Sequence, residues 1–269
     1  MGGMAAKRRI GRLLSVFALL LFWWLAAFCV NSPLILPSPA AVFMRLTVIV
    51  RDGGFWRNYV STLLRCAVSF SVTAVLGVAL GILCGLFEFF AFFMEIPLAA
   101  VRGAPVVSFI LVALFWFTSG TVPVFVSVVM TLPIMTTSVA SGLRNSEPPL
   151  LEMAAVFRFS EFQKFRWIKL PVAVPFIKEG AVSCFGLTWK VVAAGEVLCI
   201  PRYGLGAVLQ RAQVHLETAD VVAVSLVLIA TSFVFQAVFF RIMRVFGSAA
   251  GNSCAGAGSA EKKAEQQEK

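Results

Sequence analysis

Residues 144–178 read RNSEPPLLEMAAVFRFSEFQKFRWIKLPVAVPFIK. Six bases (Arg144, Arg158, Lys164, Arg166, Lys169 and Lys178) and the acids Glu147, Glu152 and Glu161 fall in this one stretch. It also carries helix punctuation. Ser146 can cap a helix N-terminus, and Pro148 and Pro149 suit a first turn, whose N–H groups have no partner in the helix. Glu147 and Glu152 favour the positive end of the helix dipole. The spacing predicts a short amphipathic helix over 149–157. Ser160 and Gln163 form a capping box that starts a second helix over 161–169, which Pro171 should stop. Apolar runs flank the stretch on both sides, so the fold is decided here. Two membrane spans are joined by a polar helix–turn–helix at the membrane surface. The loop alone allows two readings: a membrane-hugging amphipathic segment, or a docking element for a partner.

The rest of the chain agrees. Of 269 residues, 59% are hydrophobic and 13% charged, and the mean hydropathy is +0.90. Soluble domains are nearer 45–50% apolar and 25% charged. This composition excludes a soluble enzyme, a disordered chain and a secreted disulfide scaffold. The net charge of +10 is not clustered on a polar domain, so it does not point to nucleic acid. The cysteines Cys29, Cys66, Cys84, Cys184, Cys199 and Cys254 form no C-x-x-C pair, and His215 is the sole histidine. No metal site is expected from that set, and the thiols read as buried or lipid-facing. Lys7, Arg8, Arg9 and Arg12 precede an 18-residue apolar run, 13–30. A signal-peptide core is about 7–15 residues and ends in a small-residue cleavage site, so the run reads as a retained signal-anchor helix.

The expected fold is all-α: a polytopic membrane protein with about six transmembrane helices, near 13–30, 59–87, 104–117, 122–143, 172–200 and 221–246. Segment 89–100 reads as a bent or interfacial helix leading into the third span. The domain reading is a cytoplasmic N-terminal tail (1–12), a first helix with its outer loop (13–54), a main membrane domain (55–246) that contains the loop 144–178, and a disordered cytoplasmic tail (247–269). With the N-terminus inside, sixteen of the 23 Lys and Arg residues fall on the inner side and five outside, with Arg65 and Lys190 within spans. The positive-inside rule therefore places both termini in the cytoplasm.

At the loop the sequence resembles the permease subunits of bacterial binding-protein-dependent ABC importers of the type I fold. Their pattern is E-A-A, three residues, G, nine residues, I-x-L-P. Here it reads Glu152-Met153-Ala154, then Arg158 in the Gly place, then Ile168-Lys169-Leu170-Pro171. Leu36-Pro37-Ser38-Pro39, Gly204-Leu205-Gly206 and the run 189–196 (WKVVAAGE) are similar to the nitrate, sulfonate and taurine subfamily. The resemblance implies a coupling helix that docks on an ATPase subunit and makes Glu152, Met153, Ala154, Arg158, Ile168, Leu170 and Pro171 the coupling residues. It further implies two permease copies forming a homodimer, two ATPase copies, an extracytoplasmic solute-binding protein and residence in the bacterial inner membrane. No G-x-x-x-x-G-K-[ST] occurs, so ATP is expected on the partner ATPase, with no cofactor on this chain. The expected role is a permease for a small nitrate-, sulfonate- or taurine-like solute. The alternative within the family is a vitamin precursor, such as a thiamine-related pyrimidine or riboflavin. Met153 in place of Ala exchanges two good helix formers. Arg158 departs further: glycine serves where φ is positive, and a larger residue there costs about 1–2 kcal/mol. An intramembrane enzyme is a reading of a different class, but the spans hold no Asp or His for its chemistry.

Charges within spans carry functional expectations. Lys190 and Glu196 are candidates for the substrate pathway; six residues apart, they point to different helix faces. Arg65 lies near a span end and is expected to snorkel outward. Glu88, Glu95 and Arg102 recur at seven and read as a solvated or interfacial stripe. Gly77, Gly81 and Gly85 repeat at four, a small-residue ridge for close helix packing. The six tryptophans read as an aromatic belt.

Overall fold

The computed structural model describes residues 2–145 and 148–267, with side chains described at 11, 14, 15, 17–145 and 149–243. The helices are α1 (Gly2–Val30), α2 (Pro39–Arg51), α3 (Gly53–Leu86), α4 (Glu88–Gly103), α5 (Val106–Ala113), α6 (Val122–Arg144), α7 (Pro148–Val156), α8 (Glu161–Lys164), α9 (Leu170–Cys199), α10 (Leu205–Val214) and α11 (Thr218–Gln267). Among the described residues four helices are long and apolar enough to cross a membrane: Gly53–Leu86, Val122–Arg144, Glu161–Cys199 and Thr218–Met243. Phe17–Val30 is a shorter apolar helix.

Segment 89–100 forms the separate helix expected ahead of the third span, as α4, and α5 leaves it at 98°. Of the expected span 104–117, α5 covers only Val106–Ala113. The break falls where Pro105 lacks an N–H and forces Ala104 out of the helical region, to φ −82° and ψ 139°. By contrast, Pro171 does not stop the second loop helix. A π-helical turn over Phe165–Lys169 joins α8 to α9, and the Leu170 N–H reaches back to the Phe165 carbonyl. This shifted register lets Pro171, in the first turn of α9, pass without a helix break. α11 is helical to Gln267, where the sequence predicts a disordered tail over 247–269; its described side chains end at Met243.

The core is a three-helix layer with α6 in the middle, packed along α3 on one side and α9 on the other. The glycine ridge belongs to this contact. A Cβ at Gly77 would lie 2.6 Å from the Met135 Cβ, one at Gly81 2.5 Å from the Val139 Cβ, and one at Gly85 2.8 Å from Leu143 Cδ1. Buried hydroxyls bridge the same seam, with Thr73 Oγ1 2.8 Å from Thr131 Oγ1. Met135, Val139, Leu143, Ala173, Ala181 and Cys184 fill one half of the core. Val122, Val126, Met130 and Val191 pack with Ile110 of α5 in the other half.

At the end away from 144–178, α2 and α10 cover the bundle. α2 is tied to α11 by an ion pair between Arg45 and Asp220. α1 makes extended contact with α2 alone, and Leu14, Phe17, Leu19, Phe22 and Phe28 along it are exposed.

Candidate functional site

Apart from Pro171, the loop 144–178 follows its helix punctuation where it is described; Ser146 and Glu147 lie outside the described residues. α7 ends in a Schellman motif. The Phe159 N–H donates to the Ala154 carbonyl at 2.9 Å, and the Arg158 N–H donates to the Ala155 carbonyl at 3.0 Å. The left-handed residue of that motif is Arg158, with φ 55°. It accepts the conformation that glycine adopts without strain, while its side chain stays exposed. Ser160 then opens the second helix. Its N–H donates to Gln163 Oε1 at 2.8 Å, and its Oγ accepts from the Gln163 N–H at 3.3 Å.

The seven coupling residues separate into two groups. Ala154 is fully buried and Ile168 nearly so, with Leu170 half-buried at the root of α9. Ile168 and Leu170 root the loop on α9, and Phe165 joins the core beside α6. Glu152, Met153, Arg158 and Pro171 are exposed. On α7 the apolar residues Leu150, Met153 and Phe157 recur at three and four, which puts them on one face. Phe157 is 68% exposed and neighbouring Val156 is 80% exposed. The loop therefore projects a short, uncovered apolar face, bounded by the Schellman motif that ends α7 and the capping box that opens α8.

Lys190 and Glu196 do not meet. Lys190 is exposed and lines a cavity of about 490 Å³ with Ser232 and Gln236 of α11. Glu196 is fully buried, and its partner is Arg65, whose Nη1 donates to Glu196 Oε1 at 2.6 Å. Thr62 Oγ1 donates to Glu196 Oε2 at 2.8 Å, and the Gly206 N–H donates to it at 3.0 Å. Arg65 also donates to the carbonyls of Tyr203, at 2.7 Å, and Gly120, at 3.1 Å. This corrects two expectations. Arg65 does not snorkel to the boundary but turns inward, because a buried carboxylate and two carbonyls offer it charge-assisted bonds. Glu196 is not open to solute: its carboxylate is consumed in pinning α9, α3 and the start of α10 together. The Gly204-Leu205-Gly206 motif supplies the clearance. A Cβ on Gly204 would lie 2.6 Å from the Glu196 Cδ, and one on Gly206 2.6 Å from the Glu196 Cβ. Sequence reasoning missed this pairing, although the glycine pair, the intramembrane Glu and the intramembrane Arg were each visible. Trp189 also leaves the expected belt; it is buried inside the bundle and donates to the Leu228 carbonyl at 3.1 Å.

Known proteins resemble this chain in sequence and in fold. Residues 77–250 match the family described as binding-protein-dependent transport system inner membrane component. The taurine transport system permease protein TauC of Escherichia coli (strain K12) is 26% identical over 220 residues, 79% of each chain. The nitrate import permease protein NrtB of Synechocystis is 28% identical over 205 residues, 71% of this chain and 72% of that one. The riboflavin transport system permease protein RibX of Chloroflexus aurantiacus is 27% identical over 212 residues, 78% of each chain. Among solved structures, inward-facing MetNI methionine ABC transporter superposes with a TM-score of 0.54 at 18% identity, covering 75% of this chain and 96% of that one. A bacterial alginate ABC transporter, solved with its alginate-bound periplasmic protein, gives 0.51 at 14% identity, covering 90% and 94%. These two likenesses establish the fold. With more than half of its length matched, the chain belongs to the binding-protein-dependent transport system inner membrane component family, the permease subunits of ABC importers.

Proposed function

We propose that this chain pairs with a second copy of itself and that two copies of a separate ATPase dock beneath the pair, on the exposed apolar face of α7. The loop end is cytoplasmic, as are both termini, in keeping with the sixteen bases on that side. The solute-binding protein delivers to the opposite end. ATP is bound and hydrolysed on the partner, and the permease chain holds no cofactor. ATP binding draws the ATPase copies together, and the coupling loops transmit this to the bundles. The pair then shifts between two packings that differ in affinity for the closed ATPase dimer. The solute is a small polar molecule of the kind named for the relatives, such as taurine, a sulfonate or nitrate. Riboflavin, named for another relative, is the second reading within the same family.

The observation that carries this reading is the exposed apolar face of Met153, Val156 and Phe157 at the tip of a polar loop. Phe157→Asp is expected to abolish co-purification of the ATPase while the permease still folds, because the side chain touches nothing within its own bundle that its exposure does not already concede to solvent. Retention of the ATPase by this variant would remove α7 from the docking site. Arg158→Gly tests the turn separately. It relieves a left-handed arginine and is expected to keep assembly and raise stability by about 1–2 kcal/mol, read as a higher thermal midpoint of the purified complex. Loss of ATPase assembly in that variant would assign the Arg158 guanidinium a contact of its own.

A further inference from the structure

The stripe Glu88, Glu95 and Arg102 on α4 does not face open solvent alone. It lines a cavity of about 630 Å³ against the part of α6 from Thr136 to Arg144. Residues seven apart on a helix share a face and stand about 10.5 Å apart along its axis. The cavity wall therefore presents carboxylate, carboxylate and guanidinium in order. A second guanidinium, Arg144, reaches the same space and is fixed by donating to the Cys84 carbonyl at 2.7 Å. Among the described residues, none of Glu88, Glu95, Arg102 and Arg144 is in an ion pair. Thr136 borders the same cavity, fully buried, and its hydroxyl has no hydrogen-bond partner.

All four charged side chains are exposed in the open cavity, so a solute that binds there exchanges water for charge-assisted bonds. A simple anion would face the two carboxylates, and a simple cation the two guanidiniums; each would be repelled by half of the wall. A small molecule with both charges satisfies both halves. Building on the permease reading, and narrowing its solute away from nitrate or a simple sulfonate, we propose that this cavity is a solute-holding site for a small zwitterion. Its ammonium sits at Glu95, with Glu88 about two turns along the same wall, and its anionic group (carboxylate, sulfonate or phosphonate) sits at Arg102 or Arg144. The cavity is large enough for such a molecule and several waters. The site lies in the half of α6 next to the coupling loop, where a solute crossing the bundle arrives last.

The test is equilibrium binding to the purified complex of this chain with its ATPase, without the solute-binding protein. The probes are taurine, β-alanine and 2-aminoethylphosphonate, each beside its one-charge counterparts ethanesulfonate, propionate and ethylamine. Saturable binding of at least one zwitterion is expected, with its one-charge counterparts weaker by about tenfold or more. Glu95→Gln and Arg102→Gln are each expected to weaken that zwitterion by a similar factor, and Arg102→Lys less than Arg102→Gln. Two results overturn the proposal: no zwitterion binds a complex that still contains its ATPase and hydrolyses ATP, or binding is indifferent to both Glu95→Gln and Arg102→Gln. Either one leaves the permease reading standing. A chain that recovers no ATPase overturns that reading, and this proposal with it.

Discussion

Arg65→Met is expected to destabilise the bundle by about 3–5 kcal/mol, because it strands a buried carboxylate. Glu196 has no exposed side-chain surface, and Arg65 is 15% exposed. Removing the guanidinium also leaves the Tyr203 and Gly120 carbonyls without their donor. The cost should appear as a lower midpoint for unfolding of the purified chain in mixed micelles. Replacing both partners, Arg65→Met with Glu196→Gln, is expected to recover much of the loss, since the amide needs no counter-charge and keeps acceptors for Thr62 and Gly206. The single-variant cost exceeding the double-variant cost is the signature of an ion pair rather than of two independent packing residues. A loss below 1 kcal/mol for Arg65→Met would contradict this reading of the network.

Gly81→Ala should be nearly as damaging through packing alone. Its Cβ would meet the Val139 Cβ at 2.5 Å and the Thr136 carbonyl oxygen at 2.9 Å. Neither can swing away: one is the root of a β-branched side chain and the other is backbone. α3 and α6 would have to separate along their whole seam, and overpacking of this kind costs about 1–3 kcal/mol or more. Larger residues such as Leu are expected to prevent folding. Two contrasts separate packing from helix propensity. Gly103→Ala adds a Cβ in open space, and Gly186→Ala meets the flexible end of Gln236. Both are expected to cost far less, as read by yield and unfolding midpoint. If Gly103→Ala and Gly81→Ala behaved alike, close approach of α3 and α6 would not explain the ridge.

Much of the fold was legible in the sequence because long apolar runs and polar punctuation are local signals. The capping box at Ser160 and Gln163 could be read from residue types a few positions apart, whereas the positive φ at residue 158 was suggested only by the glycine that the resembled pattern has there. The bend ahead of the third span was also local: 89–100 read as a bent or interfacial helix, and Pro105 sets where the break falls. The π-turn at 165–169 was not legible, because a proline in a first helical turn and a proline that ends a helix look alike until the preceding register is known. The pairing of Arg65 with Glu196 joins positions 131 apart in sequence and depends on which faces of α3 and α9 meet; no local pattern encodes that. The same holds for the stripe on α4. Its period was clear, but the surface it faces was set by the fold of α6.

The claim that orders all of this is that α7 is a cytoplasmic docking element for a separate ATPase. A single-cysteine chain tests it most directly, with the native cysteines replaced by serine and Val156→Cys added, co-expressed with the ATPase and treated in membranes with a short thiol-to-amine cross-linker. The account predicts a permease–ATPase adduct, protection of the same thiol by the bound ATPase, and no labelling in intact cells by a membrane-impermeant thiol reagent. Labelling from outside the cell, or the absence of any ATPase adduct in membranes that contain both subunits, would contradict it.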